Sequence, residues 1–152
     1  MMQQRLENLL LAIWTGVNIG VGYIAAPVLF VMLNDKMLAG SLAGKMFYIA
    51  GIVGLTFGIL LILMRFRQEG AVYFRHWRGW LLCLMILFVA IIFFVLQPMI
   101  IEVKSLGLVE GSAAAKKFGM LHGISSILFL LTTLFGATLI FMGISKKDSE
   151  SS

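Results

Sequence analysis

The sequence predicts an all-α fold: a four-helix transmembrane bundle built from two parallel-repeat helical hairpins. Three observations carry that prediction. Four long apolar runs, at 9–32, 47–64, 79–101 and 118–144, fill most of the 152 residues. Hydrophobic residues make up 61% of the chain and charged residues 12%, against about 25% charged in soluble domains. The chain also matches itself at an offset of 71.

Each run reaches the roughly 20 residues that cross about 30 Å of hydrocarbon at about 1.5 Å per residue. Together they leave too little chain for an appended soluble catalytic domain. Residues 1–152 therefore read as a single integral membrane domain.

The first run, 9–32, exceeds the apolar core of about 7–15 residues in a signal peptide, and a cut after Ala26 would place Pro27 beside the scissile bond. It is read as a retained span. Ala12, Gly16 and Gly20 recur every four residues, a spacing that lets backbones approach where lipid supplies no hydrophobic force. Gly40/Gly44, Gly51/Gly54/Gly58 and Gly119/Gly123 offer similar faces in later segments. They serve packing within the bundle or a homo-oligomer.

The second run, 47–64, is followed by a basic loop, 65–78, holding Arg65, Arg67, Arg75, Arg78 and His76. The third, 79–101, contains the lone Cys83, which excludes an intramolecular disulfide. The fourth, 118–144, leads into a polar tail, 145–152.

Four crossings put both termini and the 65–78 loop on one side. That side carries seven Lys/Arg residues against five on the other, and all five arginines. The positive-inside rule places it in the cytoplasm. With no targeting extension ahead of the first span, a bacterial inner membrane is expected. The net charge of +5 flanks the spans, where it meets lipid head groups rather than nucleic acid.

The repeat pairs Pro27 with Pro98, Gly40 with Gly111, Ser41 with Ser112, Ala43 with Ala114, Lys45 with Lys116 and Phe47 with Phe118. Six identities in 21 positions exceed the roughly one or two expected from background usage. Two crossings separate the halves, so they run in the same direction about an axis along the membrane normal. Each proline removes a backbone donor and kinks its helix, which frees the carbonyls of Tyr23 and Phe94 at matching depth. A wet cavity near the outer leaflet is the expected consequence.

Polar groups inside spans are functional candidates by default. Here they are Asn18, Gln97, His122 and the pair Ser125/Ser126. The expected ligand-binding set is His122, Ser126, Asn18 and Gln97, shaped by the kinks at Pro27 and Pro98. His122 is the sharpest candidate, because imidazole binds metal or haem or carries a proton. It also breaks the repeat, since it falls where the first half has Gly51. His76 belongs to the opposite side, which disfavours bis-histidine haem within one chain and leaves His/Met ligation open. Met32, Met37, Met46, Met99 and Met120 lie near the same end as His122, a thioether and imidazole set that suits Cu(I). Neither cofactor is required by the sequence. Paired intramembrane carboxylates, Walker loops, His-Glu-x-x-His runs and serine elbows are all missing, so no catalytic residue is assigned.

Trp14, Ala26-Pro27-Val28-Leu29-Phe30, Ala39-Gly40-x-x-x-Gly44-x-x-Phe47 and Phe118-x-x-x-His122-Gly123-x-Ser125 resemble the transmembrane protein 205-like family, catalogued in bacteria as domain of unknown function 4149. The resemblance implies a four-span integral membrane protein of unsettled role, with the His122-Gly123 position as a candidate site. More distantly, the architecture is similar to copper-resistance membrane domains and to a haem-carrying protoporphyrinogen oxidase family, which use more intramembrane histidines. Three functional readings stay open: a small-ligand or ion site, a haem or copper redox module, and a non-catalytic scaffold acting through its glycine faces or its arginine loop.

Overall fold

The computed structural model describes residues 2–109 and 111–150, with side chains from 3 to 109 and from 111 to 143. Glu110 and the side chains of Lys146 and Lys147 lie outside the described residues. Four rods run antiparallel in sequence order, and no strand occurs among the described residues. The rod α1 comprises Met2–Ile19, a π-helical segment Gly20–Ala25, and Ala26–Met32. The rod α2 spans Lys36–Glu69 and leads into a 3₁₀ turn, Gly70–Arg75. Next, α3 comprises Trp77–Ile91, a second π-helical segment Ile92–Leu96, and Gln97–Ser105. Last comes α4, Ala113–Glu150. All four are long and apolar enough to cross a membrane. The protein is a multi-pass membrane protein.

The helices outrun the apolar runs that announced them. Residues 36–46, expected as a polar loop, form the opening turns of α2. The Asp35 carboxylate starts that helix by accepting the backbone N–H groups of Met37 (2.8 Å) and Leu38 (3.1 Å), which satisfies two of its orphan donors. Ser112 does the same for α4, accepting the Ala115 N–H at 3.1 Å. Its repeat mate Ser41 lies inside α2. The two returning helices thus begin at different points of the repeat. The later start of α4 needs the connection through Gly107 and Gly111, at φ of +81° and +79°, a region open to glycine at no steric cost.

Ahead of each proline the rod takes a form the sequence did not reveal. In each case the residue before the proline reaches five residues back instead of four: the Ala26 N–H donates to Val21 O, and the Gln97 N–H to Ile92 O. These pairs are repeat mates, since both members differ by 71. Each π segment therefore widens the helix by one residue just where proline supplies no donor. The α-helical partners of two carbonyls per rod are displaced, those of Gly22 and Phe93 as well as Tyr23 and Phe94.

Packing differs between the two ends. At the terminal end, which carries both termini and the 65–78 connection, α1 packs on α4, α4 on α3, α3 on α2 and α2 on α1. Trp14, Leu11, Leu61, Leu82, Met85 and Leu139 fill this core. Gly54 and Gly58 admit the indole, as expected of that glycine face: a Cβ at Gly54 would stand 2.7 Å from Trp14 Nε1, and one at Gly58 2.6 Å from Ile86 Cγ1. Gly16, Gly20, Gly44, Gly119 and Gly123 behave differently, with open space where a Cβ would point. They do not hold this bundle together.

The terminal end is also tied by charge. Glu7, buried on α1, accepts from Arg65 of α2, and Arg65 Nη1 donates to Glu69 at 2.7 Å. Arg78 of α3 stands 3.9 Å from Glu7 and donates to Leu139 O of α4 at 3.4 Å. The Arg65 guanidinium lies 5.4 Å from the Tyr73 ring centre. One small ionic group thereby touches all four rods.

Beyond the π segments the bundle opens. Ala26–Met32 stays against α2, and Gln97–Ser105 stays against α4, around Leu96, Ile100, Val103 and Leu121. Between the two hairpins contact thins out. Meanwhile the outer surface is apolar almost everywhere, with Val31, Phe94, Ile127 and Phe141 among many exposed side chains. A soluble monomer does not present patches of that extent; a bilayer covers them.

Candidate functional site

The gap between the hairpins is a cleft. Its inner part, about 350 Å³, takes residues from all four rods, from Gly22, Tyr23 and Phe30 on α1 to His122, Ser126 and Phe129 on α4. A wider part, about 780 Å³, continues between α2 and α3 past Lys36, Lys45, Tyr48 and Ile101. His122, Gln97, Lys104, Phe118 and Gly44 line both parts. These volumes fall within the range of about 300–1,000 Å³ typical of small-molecule sites.

Aromatic side chains form the floor. Phe129 of α4 reaches across to α1 and α2, 5.2 Å from the Phe47 ring at 86° and 6.2 Å from Tyr23. Phe93 of α3 stacks on Tyr48 of α2 at 5.0 Å, and a Cβ at Gly51 would meet its ring at 2.7 Å. The repeat shows how the two seams differ. Under the offset of 71, Phe93 on α3 corresponds to Gly22 on α1, and Gly51 on α2 to His122 on α4. Both seams set a phenyl ring against a glycine: Phe93 of α3 meets Gly51 of α2, and Phe129 of α4 meets Gly22 of α1. His122 stands at the repeat position of Gly51, but in a seam whose ring comes from its own helix, so it faces the cavity instead of receiving a ring.

His122 stacks on Phe118, with ring centres 5.7 Å apart and planes 10° off parallel. Stacking fixes the imidazole plane while its edge meets the cleft. Ser126 lines the same space, but its hydroxyl donates to His122 O at 2.8 Å, and Ser125 donates to Leu121 O at 2.9 Å. Both serines therefore offer the cleft acceptor lone pairs rather than a free proton. Gln97 sits at the end of the second π segment and reaches both parts of the cleft. Pro27 borders the inner part and Pro98 the wider one.

Asn18 does not join this group. It is buried one turn before the π segment of α1 and lines neither part of the cleft. The sequence shows only that Asn18 lies inside a span; its depth below Phe129 comes from the packing.

Lys104 is the residue that sequence reading missed. It reads there as an interfacial lysine, yet its ammonium donates to Gly40 O of α2 at 3.3 Å and lies 5.5 Å from the Phe118 ring centre. It bridges the mouth from one hairpin to the other. A single cation just past a proline-bent span end was the available signal.

Among the described residues, no three His, Cys, Asp or Glu side chains come together as a metal group. Of the five methionines named from the sequence, Met37 shares the wider cleft with His122, whereas Met32 and Met120 are exposed and Met99 packs into the core. His76 heads α3 at the opposite end.

The model of the domain of unknown function DUF4149 matches residues 9–108. That segment holds all of α2 and α3, with Gln97, Pro98 and Lys104, and most of α1. It stops before α4, so His122 and Ser126 fall beyond it. No curated protein and no solved structure matches this chain. With about two thirds of its length under the family model, the chain belongs to the DUF4149 family.

Proposed function

We propose that this chain is a single integral membrane domain that binds a small ligand in the cleft between its hairpins, near the outer leaflet. In this reading both termini face the cytoplasm of a bacterial cell and the cleft opens on the far side of the inner membrane. The observation that carries the proposal is the meeting of His122 and Gln97, from different helices, in one cavity at the point where the two hairpins part. Imidazole and carboxamide both donate and accept hydrogen bonds, and the aromatic walls around them suit the apolar body of a ligand.

The test uses Gly44→Phe. Gly44 lines both parts of the cleft and has open space at its Cβ position, so a phenyl ring fills the cavity without a clash at the backbone. Native mass spectrometry of protein extracted in mild detergent should show a retained small molecule on the wild type and none on Gly44→Phe. Equal retention by both, or none by either, overturns the reading.

A redox reading has one observation in its favour: His122 and Met37 line the same wider cleft, and a His/Met pair is a known axial set for haem and a soft donor set for Cu(I). A Soret band or stoichiometric copper in purified protein, lost in His122→Ala, is what this reading expects.

A further inference from the structure

Resting on the reading of the cleft as a binding site, we infer that its occupant is an anionic lipid of the surrounding bilayer, held by its head group at Lys36, Lys45 and Lys104 with an acyl chain along the aromatic floor.

Charge comes first. Three lysines and one histidine line the cleft, and among the described residues no aspartate or glutamate does. The Asp35 carboxylate, beside Lys36, is engaged with the N–H groups that start α2, and Glu102 is exposed and does not line the cleft. Lys36 leans on the carbonyls of Phe30 and Leu33 that end α1, and Lys104 on Gly40 O. Backbone carbonyls are neutral, and among the described residues no carboxylate pairs with either of the two ammonium charges. An anion at the mouth completes them.

The lipid, rather than a free anion, follows from the way the cleft opens. The wider part runs between α2 and α3, lined by Ser41, Lys45 and Tyr48 on one rod and Phe93, Pro98 and Ile101 on the other. These two rods pack closely through Trp77–Ile91 but part beyond the second π segment. The opening is thus sideways, between helices whose outer faces are apolar. Entry from that direction selects a molecule already in the bilayer. Polar atoms cluster toward the mouth, while Gly22, Phe47, Ile92 and Phe129 lie deeper. That order, charge at the level of the interface and hydrocarbon below, is the order of a lipid.

Protein in neutral detergent would be titrated with phosphatidylglycerol or phosphatidylcholine and followed by native mass spectrometry, with inorganic phosphate as a competitor. One phosphatidylglycerol should bind in preference to phosphatidylcholine. Each of Lys45→Gln and Lys104→Gln should weaken that preference about fivefold, the worth of one lysine near a charged head group. Lys104→Arg should restore it, and phosphate should not displace the lipid. Because Lys45 is exposed, its variant reads binding free of any effect on folding. Equal binding of both lipids, abolished by Gly44→Phe, would overturn this inference and leave the binding reading standing. Displacement by phosphate would make the site one for free anions and overturn it as well. Binding of neither lipid, with Gly44→Phe retaining the same molecules as the wild type, would overturn both.

Discussion

At the residue scale, burial decides which groups matter. Glu7 did not stand out in the sequence, yet it is one of the few charged groups sealed inside the bundle, and two arginines from other rods face it. Removing one member of such a pair strands the other charge in a poor solvent. Glu7→Ala should therefore cost about 3–5 kcal/mol, read as a lower unfolding midpoint in detergent. The exposed Glu102, changed in the same way, should leave the midpoint within about 0.5 kcal/mol. His122 shows the reverse case. Its importance was legible, because a histidine inside an apolar run stands out and breaks the repeat. Its surroundings were only partly so: Phe118 lies one turn away on the same helix, but the shared wall with Gln97 depends on how α3 sits against α4. Asn18 stood out for the same reason as His122, and packing put it elsewhere. Polarity within a span marks a residue as worth explaining; it does not say which cavity the residue reaches.

At the element scale, the spans and their prolines were plain in the sequence, and the π segments were not. A one-residue widening leaves composition and hydropathy untouched. It changes only the phase of the helix, by about 100° for each residue. That phase is what Pro98→Ala probes. With a donor restored, α3 can close as a continuous α-helix, turning Gln97–Ser105 relative to Trp77–Ile91 and drawing Lys104 away from Gly40. Spin labels at Ser41 and Ile101, in a Cys83→Ser background, should report a changed distance across the mouth. An unchanged distance would show that the packing of Gln97–Ser105 on α4, and not the proline, holds the bend. Gly54 offers a second test of an element contact. Gly54→Ala drives a methyl group into the Trp14 indole and should cost about 1–3 kcal/mol. Gly16→Ala, in open space, should cost nothing and gain slightly from helix propensity.

For the whole molecule, the contrast between the two ends is the main result. The terminal end is packed around Trp14 and fastened by Glu7, Arg65 and Arg78. The other end parts beyond two π segments at matching positions of the repeat. Cooperative stability belongs to the first, and amides near the cleft should open locally well before the bundle unfolds. Hydrogen exchange in nanodiscs should show Ala26–Met32 and Gln97–Ser105 exchanging faster than Leu9–Ile19 and Leu81–Ile91. The glycines left open on α1 and α4 support association between copies as a proposal of its own. If Gly16 or Gly123 lies at such an interface, Gly16→Leu or Gly123→Leu should convert a dimer to a monomer in light-scattering measurements while the unfolding midpoint of the monomer stays put.

The matched π segments also carry a history. A π segment is an α-helix that has taken in one extra residue, and such an insertion is a single event in a gene. Here it occurs twice, on the same side of the same proline, with bonds between residues that correspond one to one. Two independent insertions would have had to land at the same place. One insertion in an ancestral hairpin, copied when the hairpin was duplicated, needs no coincidence. Duplication of a hairpin that already carried the π segment and its proline accounts for the one-to-one match of the bonds.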